Sequence, residues 1–220
     1  MAAIWEKLIA WLWPARCVGC NVRGEYLCAA CAATLARSTE AAPPGTLALY
    51  DYADPRIKRL IWRLKYRGHR ALAGEGGRLL HDGLLETLAE AEEWQPALLG
   101  EPRLLLPAPL AAGRRRRRGY NQAAELARAL ARASPELWEL QTGWLIKIRE
   151  TPSQVSLRDR RARLNNLRGA FALGPAALVR GRRVLVVDDV ITTGATMAEA
   201  RRVLQAAGAK SVLGLALARG

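Results

Sequence analysis

The chain has 220 residues, half of them hydrophobic, with seven Trp against one Phe and a net charge of +14. This length buries one α/β core and leaves residues for an appendage, and no apolar run reaches the roughly 18 residues of a membrane-spanning helix. Almost all of the excess charge falls in residues 101–220, which fits a small anionic ligand and equally a polyanion such as single-stranded DNA.

From the N-terminus, Ile4, Leu8, Trp11 and Leu12 fall at helical spacing, and a short amphipathic helix is expected. Glu6 and Lys7 break the apolar core that a secretion signal needs, so the chain is expected in the cytoplasm. The apolar stripe is expected to pack on the module that follows. The alternative is peripheral contact of residues 4–13 with the inner face of a membrane. The next segment carries all four cysteines, as Cys17-x-x-Cys20 and Cys28-x-x-Cys31. Two such knuckles close a tetrahedral thiolate cage, so structural Zn2+ is the expected occupant, with a metal cluster as the alternative. Four ligands fill the shell and leave no open position for catalysis. A disulfide reading needs an oxidising compartment that nothing else in the sequence supports.

Residues 46–52 read as a strand, and Pro55 opens a helix with Ile57, Leu60, Ile61 and Leu64 on one face. Lys65 and Tyr66 end it, and Lys65 reads as a lysine snorkelling from the last turn. A Leu- and Ala-rich helix is expected over 70–93, with Gly74, Gly76 and Gly77 as punctuation. Residues 103–110 give a short buried strand broken by Pro107 and Pro109. Five consecutive arginines, Arg114, Arg115, Arg116, Arg117 and Arg118, follow on what reads as an exposed loop. The phrase Arg118-Gly119-Tyr120-Asn121-Gln122 then enters a helix through Ala133. A strand over 144–148 leads into a polar, arginine-rich segment too long for a simple connector, which is expected to be a functional loop.

Residues 184–196, VLVVDDVITTGAT, carry the most specific chemistry. Val184, Leu185, Val186 and Val187 predict a strand buried on both faces. Asp188 and Asp189 follow it. Thr192, Thr193, Gly194, Ala195 and Thr196 then turn into a helix with apolar positions at Met197, Ala200, Val203 and Leu204, stopped at Gly208. A helix N-terminus offers N–H groups and a positive dipole end to a phosphate. The threonines add hydroxyl donors, and Gly194 lets the backbone come close. Carboxylates repel phosphate but accept from the hydroxyls of a vicinal diol. Phosphate donors beside diol acceptors describe a ribose 5-phosphate. The P-loop pattern, a Gly-x-Gly-x-x-Gly after a strand and His-Glu-x-x-His are all missing, which sets those three chemistries aside.

This stretch is similar to the 13-residue signature of type I phosphoribosyltransferases, whose ligand is phosphoribosyl pyrophosphate (PRPP). The cysteine pairs, LIWRLKYRG, LPAPL with RRGYNQAAELARALA, the TPSQ to GAF segment and VLVVDDVITTGAT occur in that order. From about Trp13 onward the chain resembles the ComF family of competence-associated, phosphoribosyltransferase-like proteins. Its unbroken run of five arginines departs from the spaced ones expected there.

The resemblance implies an α/β fold: a type I phosphoribosyltransferase-like parallel sheet flanked by helices over 46–220. A small four-cysteine zinc module with the N-terminal helix would occupy 1–45. It implies that Asp188 and Asp189 hold the ribose hydroxyls and are the candidate catalytic pair. Thr192, Thr193, Gly194, Ala195 and Thr196 would hold the 5-phosphate, and the segment from Pro107 and Ala108 to Leu110 would be the pyrophosphate loop. Residues 154–166 would form a mobile lid, and Arg118 and Arg163 complete the candidate PRPP contacts. Arg114, Arg115, Arg116 and Arg117 are the candidate nucleic-acid contacts.

The activity so implied is ribosyl-phosphate transfer from PRPP, with Mg2+ on the pyrophosphate and ribose hydroxyls, in DNA uptake or nucleotide metabolism. The acceptor is not spelled out, and any hood that selects it is expected from the N-terminal region. A function of another class stays open: a non-catalytic PRPP sensor that binds single-stranded DNA beside competence helicase and uptake proteins.

Overall fold

The computed structural model describes residues 14–66, 71–90, 103–151 and 167–220. The expected N-terminal helix with its membrane contact, the lid with Arg163, and most of the arginine cluster around it lie outside the described residues.

After the cysteine segment and a one-turn helix α1 (Ala29–Ala33), strand β1 (Thr46–Asp51) leads to helices α2 (Pro55–Tyr66) and α3 (Leu72–Glu90). Strand β2 (Arg103–Pro107), helices α4 (Ala112–Arg118) and α5 (Gln122–Ala133), and strands β3 (Trp138–Leu140), β4 (Leu145–Lys147) and β5 (Phe171–Leu173) follow. Then come β6 (Arg183–Ile191), α6 (Ala195–Ala206) and β7 (Ser211–Arg219). Among the described residues, five strands form one parallel sheet in the order β1-β7-β6-β2-β3. Strands β4 and β5 pair antiparallel outside it. The protein is thus an α/β parallel sheet flanked by helices.

The central place of β6 follows from its sequence. Val184, Leu185, Val186 and Val187 are all buried, as a strand covered on both faces requires. Alternation sends Leu185 and Val187 into one core with Leu105, Leu215 and the apolar faces of α2, α3 and α5. Val184 and Val186 enter the other with Leu104, Leu106 and the α6 residues Ala200 and Leu204. Helix α2 buries Ile57, Leu60, Ile61 and Leu64, as their spacing predicts. Its start is fixed by Asp54, whose Oδ1 accepts from the Arg56 N–H at 2.8 Å, with Pro55 in the first turn where no N–H is needed. No helix among the described residues is long and apolar enough to cross a membrane.

Several local expectations change. Strand β6 runs on to Ile191, so Asp188 and Asp189 are strand residues rather than the start of a loop, because β7 continues to pair with them as far as Arg219. The five arginines lie in helix α4 rather than an exposed loop. Arginine is a good helix former, and Gly119, at φ 78°, closes the helix with its N–H on the Arg115 carbonyl. Gly76 and Gly77 are not punctuation but sit inside α3 where it crosses α5. A methyl group on Gly77 would come within 2.9 Å of the Ala129 backbone carbon. Strand β3, which carries no strong strand pattern, forms on the outer edge of β2 and buries Trp138.

Candidate functional site

A cleft of about 410 Å³ opens at the carboxyl ends of the parallel strands, where open α/β sheets bind ligands. Asp188 and Asp189 lie on its floor. The Asp189 N–H donates to Asp188 Oδ1 at 2.8 Å, which fixes one carboxylate over the other's backbone. Asp189 is buried and faces a cation from another element: Lys65 Nζ, at the end of α2, lies 2.9 Å from its Oδ2. The pairing is one of charge, because that oxygen has no hydrogen bond of regular geometry. Burial, and then repulsion from Asp189, push the Asp188 pKa up to about 8. Burial disfavours the charge on Lys65, but Asp189 and then Asp188 outweigh it and hold its pKa above the ordinary value.

The threonine turn borders the same cleft. Thr192 and Thr196 line it, whereas Thr193, Gly194 and Ala195 shape the turn behind. Gly194 has φ 78° and precedes α6 with no side chain capping the helix. A Cβ there would also fall 2.6 Å from Pro43, so both conformation and space require glycine. The Thr193 hydroxyl accepts from the Ala195 N–H at 3.4 Å. Arg219 of β7 braces the turn, donating to the Thr192 carbonyl at 2.6 Å.

A cationic wall completes the cleft. Helical spacing divides the arginine run: Arg114 and Arg118, four apart, line the cleft, while Arg115, Arg116 and Arg117 are exposed. Arg115 instead borders a second cavity of about 550 Å³ on the other side of α4. Lys147 of β4 joins Arg114 in the cleft; burial, then Arg114, bring its pKa down to about 8. Its ammonium donates to the Thr151 hydroxyl at 2.6 Å.

The residues after Arg118 hold this wall in place. Arg118 donates to Gln122 at 2.9 Å and stacks 5.0 Å over the Tyr66 ring. The Tyr120 hydroxyl donates to the Leu64 carbonyl and so fixes the end of α2. Asn121 caps α5 and donates to the Ala108 carbonyl at 2.9 Å. Pro107 is the last residue of β2, and Ala108 lines the cleft with its N–H on the Val187 carbonyl at 2.7 Å.

Sequence reasoning missed Lys65 and Lys147. Lys65 is no snorkelling lysine: its side chain is 20% exposed and turned onto Asp189. The phrase LKYRG held the only hint, a cation placed directly after the buried Leu64. Lys147 alternates with apolar residues on a short strand and gave no signal.

The four cysteines converge. Their Sγ atoms all lie within 4.8 Å of one another, with Cys28 at 3.7 Å from Cys17 and 3.6 Å from Cys20. Sulfurs at about 2.3 Å from a tetrahedral zinc stand about 3.8 Å apart. The cluster therefore fits a metal ion such as zinc. Burial opposes the Cys17 thiolate, but N–H groups of Cys28, Gly19 and Cys20 favour it and bring its pKa down to about 6. A Cβ at Gly19 would lie 2.6 Å from Cys31 Sγ, so the first knuckle closes only around glycine. One face of α2 binds this segment. Arg56 donates to the Cys31 carbonyl at 3.1 Å, Arg59 to that of Val18 at 2.7 Å and Arg63 to that of Arg16 at 3.3 Å.

A parallel α/β sheet whose central strand ends in this acidic pair and threonine turn defines a phosphoribosyl transferase domain, and the family model of that description matches residues 116–218. More narrowly, the chain belongs to the ComF family, that of Competence protein F. It is 34% identical to Competence protein F of Haemophilus influenzae over 173 residues, 76% of this chain and 69% of that protein. It is 36% identical to DNA utilization protein YhgH of Escherichia coli K12 over 162 residues, 74% of this chain but 66% of the relative's length. A stretch of 34 residues, 16% of this chain, is 62% identical to 12% of Ribose-phosphate pyrophosphokinase 2 of Archaeoglobus fulgidus.

Proposed function

We propose that the cleft binds PRPP, with the diol on Asp188 and Asp189, the 5-phosphate at the 192–196 turn, and the pyrophosphate against Arg114, Arg118 and Lys147. The observation that carries this reading is the convergence in one cleft of two carboxylates, Asp188 and Asp189, two threonines of the turn, Thr192 and Thr196, and the cations Arg114, Arg118 and Lys147. The local likeness to a Ribose-phosphate pyrophosphokinase supports a ribose phosphate as part of the ligand.

The chemistry this arrangement suits is ribosyl-phosphate transfer. A nitrogen of the acceptor bonds to C1, the bond from C1 to the pyrophosphate oxygen breaks, and pyrophosphate leaves with the electron pair. The acceptor nitrogen then loses its proton. Asp188 and Asp189 hold the sugar while charge develops on its ring, and the cations receive the departing pyrophosphate, so the protein acts by position and electrostatics. Tyr66, exposed at the end of α2 and lining the cleft, is proposed to stand beside the acceptor.

Magnesium is a weaker fit to the protein itself. Two carboxylates on one strand, one already paired with Lys65, do not make a divalent-cation cage from protein groups. Mg2+ would arrive on the pyrophosphate, and no residue is assigned to it. The four cysteines are proposed to hold Zn2+ as a structural cross-link within residues 1–45, with the transferase-like domain over 46–220.

A second reading is favoured by the exposed Arg115, Arg116 and Arg117 and by relatives named for DNA utilization and competence. In it the protein senses PRPP and binds single-stranded DNA in the cytoplasm without transfer. Following pyrophosphate release from PRPP and magnesium, with and without candidate bases, separates the two. Turnover with one base supports the enzyme, and saturable binding without turnover supports the sensor.

A further inference from the structure

The acidic floor of the cleft carries its own counter-charge. Lys65 Nζ stands 2.9 Å from Asp189 Oδ2, with the two side chains 20% and 6% exposed. It is delivered there by construction. Leu64, the residue before it, is fully buried, and its carbonyl is held by the Tyr120 hydroxyl from the turn between α4 and α5. Arg118, stacked on Tyr66, packs against the same helix end. Two adjacent carboxylates in a partly dry cleft repel each other strongly, and they accept well from sugar hydroxyls only if a cation balances them. In this cleft that cation is a side chain. A metal ion seeking Asp189 Oδ2 would have to displace it.

We propose that Lys65 is the counter-ion of the diol site. Its ammonium does at Asp189 what a divalent cation would otherwise do, balancing the acidic pair and holding Asp189 toward the ribose hydroxyls, so the sugar of PRPP binds without a metal on the protein. Lys65 acts through Asp189 and is a positioning residue. The inference rests on the PRPP reading of the cleft and adds to it the source of the charge balance.

The test is calorimetric titration of PRPP into the full chain, with a chelator and with magnesium in turn, for wild type, Lys65→Met and Lys65→Arg. The wild-type Kd should differ by less than about threefold between the two conditions. Lys65→Met should weaken binding about tenfold or more with chelator, the scale for removing a charged interaction, and magnesium should restore most of it. Lys65→Arg keeps the charge and should stay near wild type in both. Lys65→Gln, which keeps a donor but no charge, answers the same question should the methionine variant not fold. Wild-type affinity in Lys65→Met with chelator overturns the proposal. So does an equal loss with and without magnesium, the mark of a merely structural pair. Absence of PRPP binding by the wild type in both conditions removes the PRPP reading, and this inference with it.

Discussion

The guanidinium of Arg59 donates at 2.7 Å to the carbonyl oxygen of Val18, the residue after the first cysteine. Arg59 belongs to α2, which carries Lys65 in its last turn, so the cysteine cluster and the cleft share one rigid element. The apolar face of α2 enters the sheet core and its arginine face holds the cysteine segment.

Loss of the metal proposed at the cysteines should therefore be felt at the cleft. Cys28→Ser, or removal of the metal by a chelator with high zinc affinity, should weaken PRPP binding by roughly 1–3 kcal/mol, the usual size of a coupling between two sites, while the sheet stays folded, since metal binding is coupled to local folding. Calorimetry beside circular dichroism checks it. Unchanged PRPP affinity in the metal-free protein would show that α2 holds its end without help.

The close crossing of α3 and α5 gives a stability prediction. Gly77→Ala gains roughly 1 kcal/mol in helix propensity. It also drives a methyl group to 2.9 Å from the backbone of Ala129, which cannot swing aside as a side chain can. Overpacking of this kind costs about 1–3 kcal/mol, so the variant should melt at a lower temperature than wild type. A raised melting temperature would mean the helices separate freely.

The proposed binding of PRPP should carry two opposing pH dependences. Asp188, raised to about 8, gains charge as pH rises through that value and becomes the better acceptor for sugar hydroxyls. Lys147, lowered to about 8, loses charge in the same window and holds pyrophosphate less well. The two should offset in wild type. Lys147→Met should bind more tightly as pH rises through about 8, and Asp188→Asn should bind less tightly over the same interval. The raised Asp188 pKa also means that its contribution to stability is present below the unfolded value near 3.8 and is lost as pH rises through about 8. Asp188→Asn should accordingly melt higher at neutral pH. Flat affinity profiles in both variants would remove these groups from the site.

For nucleic acid, the division of the arginine run sets the expectation. Arg116→Ala with Arg117→Ala should weaken single-stranded DNA binding and flatten its salt dependence by about 0.7 for each phosphate no longer neutralised. PRPP affinity should not change, because neither side chain lines the cleft. Fluorescence titration at several salt concentrations checks both. Binding indifferent to salt would leave these arginines as solvated surface.

The parts of this fold legible in the sequence were those written in local pattern. The apolar run before Asp188, the Ile57 to Leu64 spacing and the paired Cys-x-x-Cys motifs each determine burial or convergence through neighbours a few residues away. What was hidden depends on distant partners. Lys65 is defined by Asp189, 124 positions further on, and Gly77 by Ala129, 52 positions further on. By charge alone the arginine run reads as an exposed loop, whereas helical period turns Arg114 and Arg118 to the cleft and leaves Arg115, Arg116 and Arg117 exposed.

The most direct test of the account is calorimetric titration of PRPP into wild type, Asp188→Ala and Thr192→Val, whose side chains line the proposed diol and phosphate ends of one cleft. Each substitution should weaken binding by about 1–3 kcal/mol, the range for losing a hydrogen bond to a charged or buried group. Wild-type affinity in both variants would contradict it.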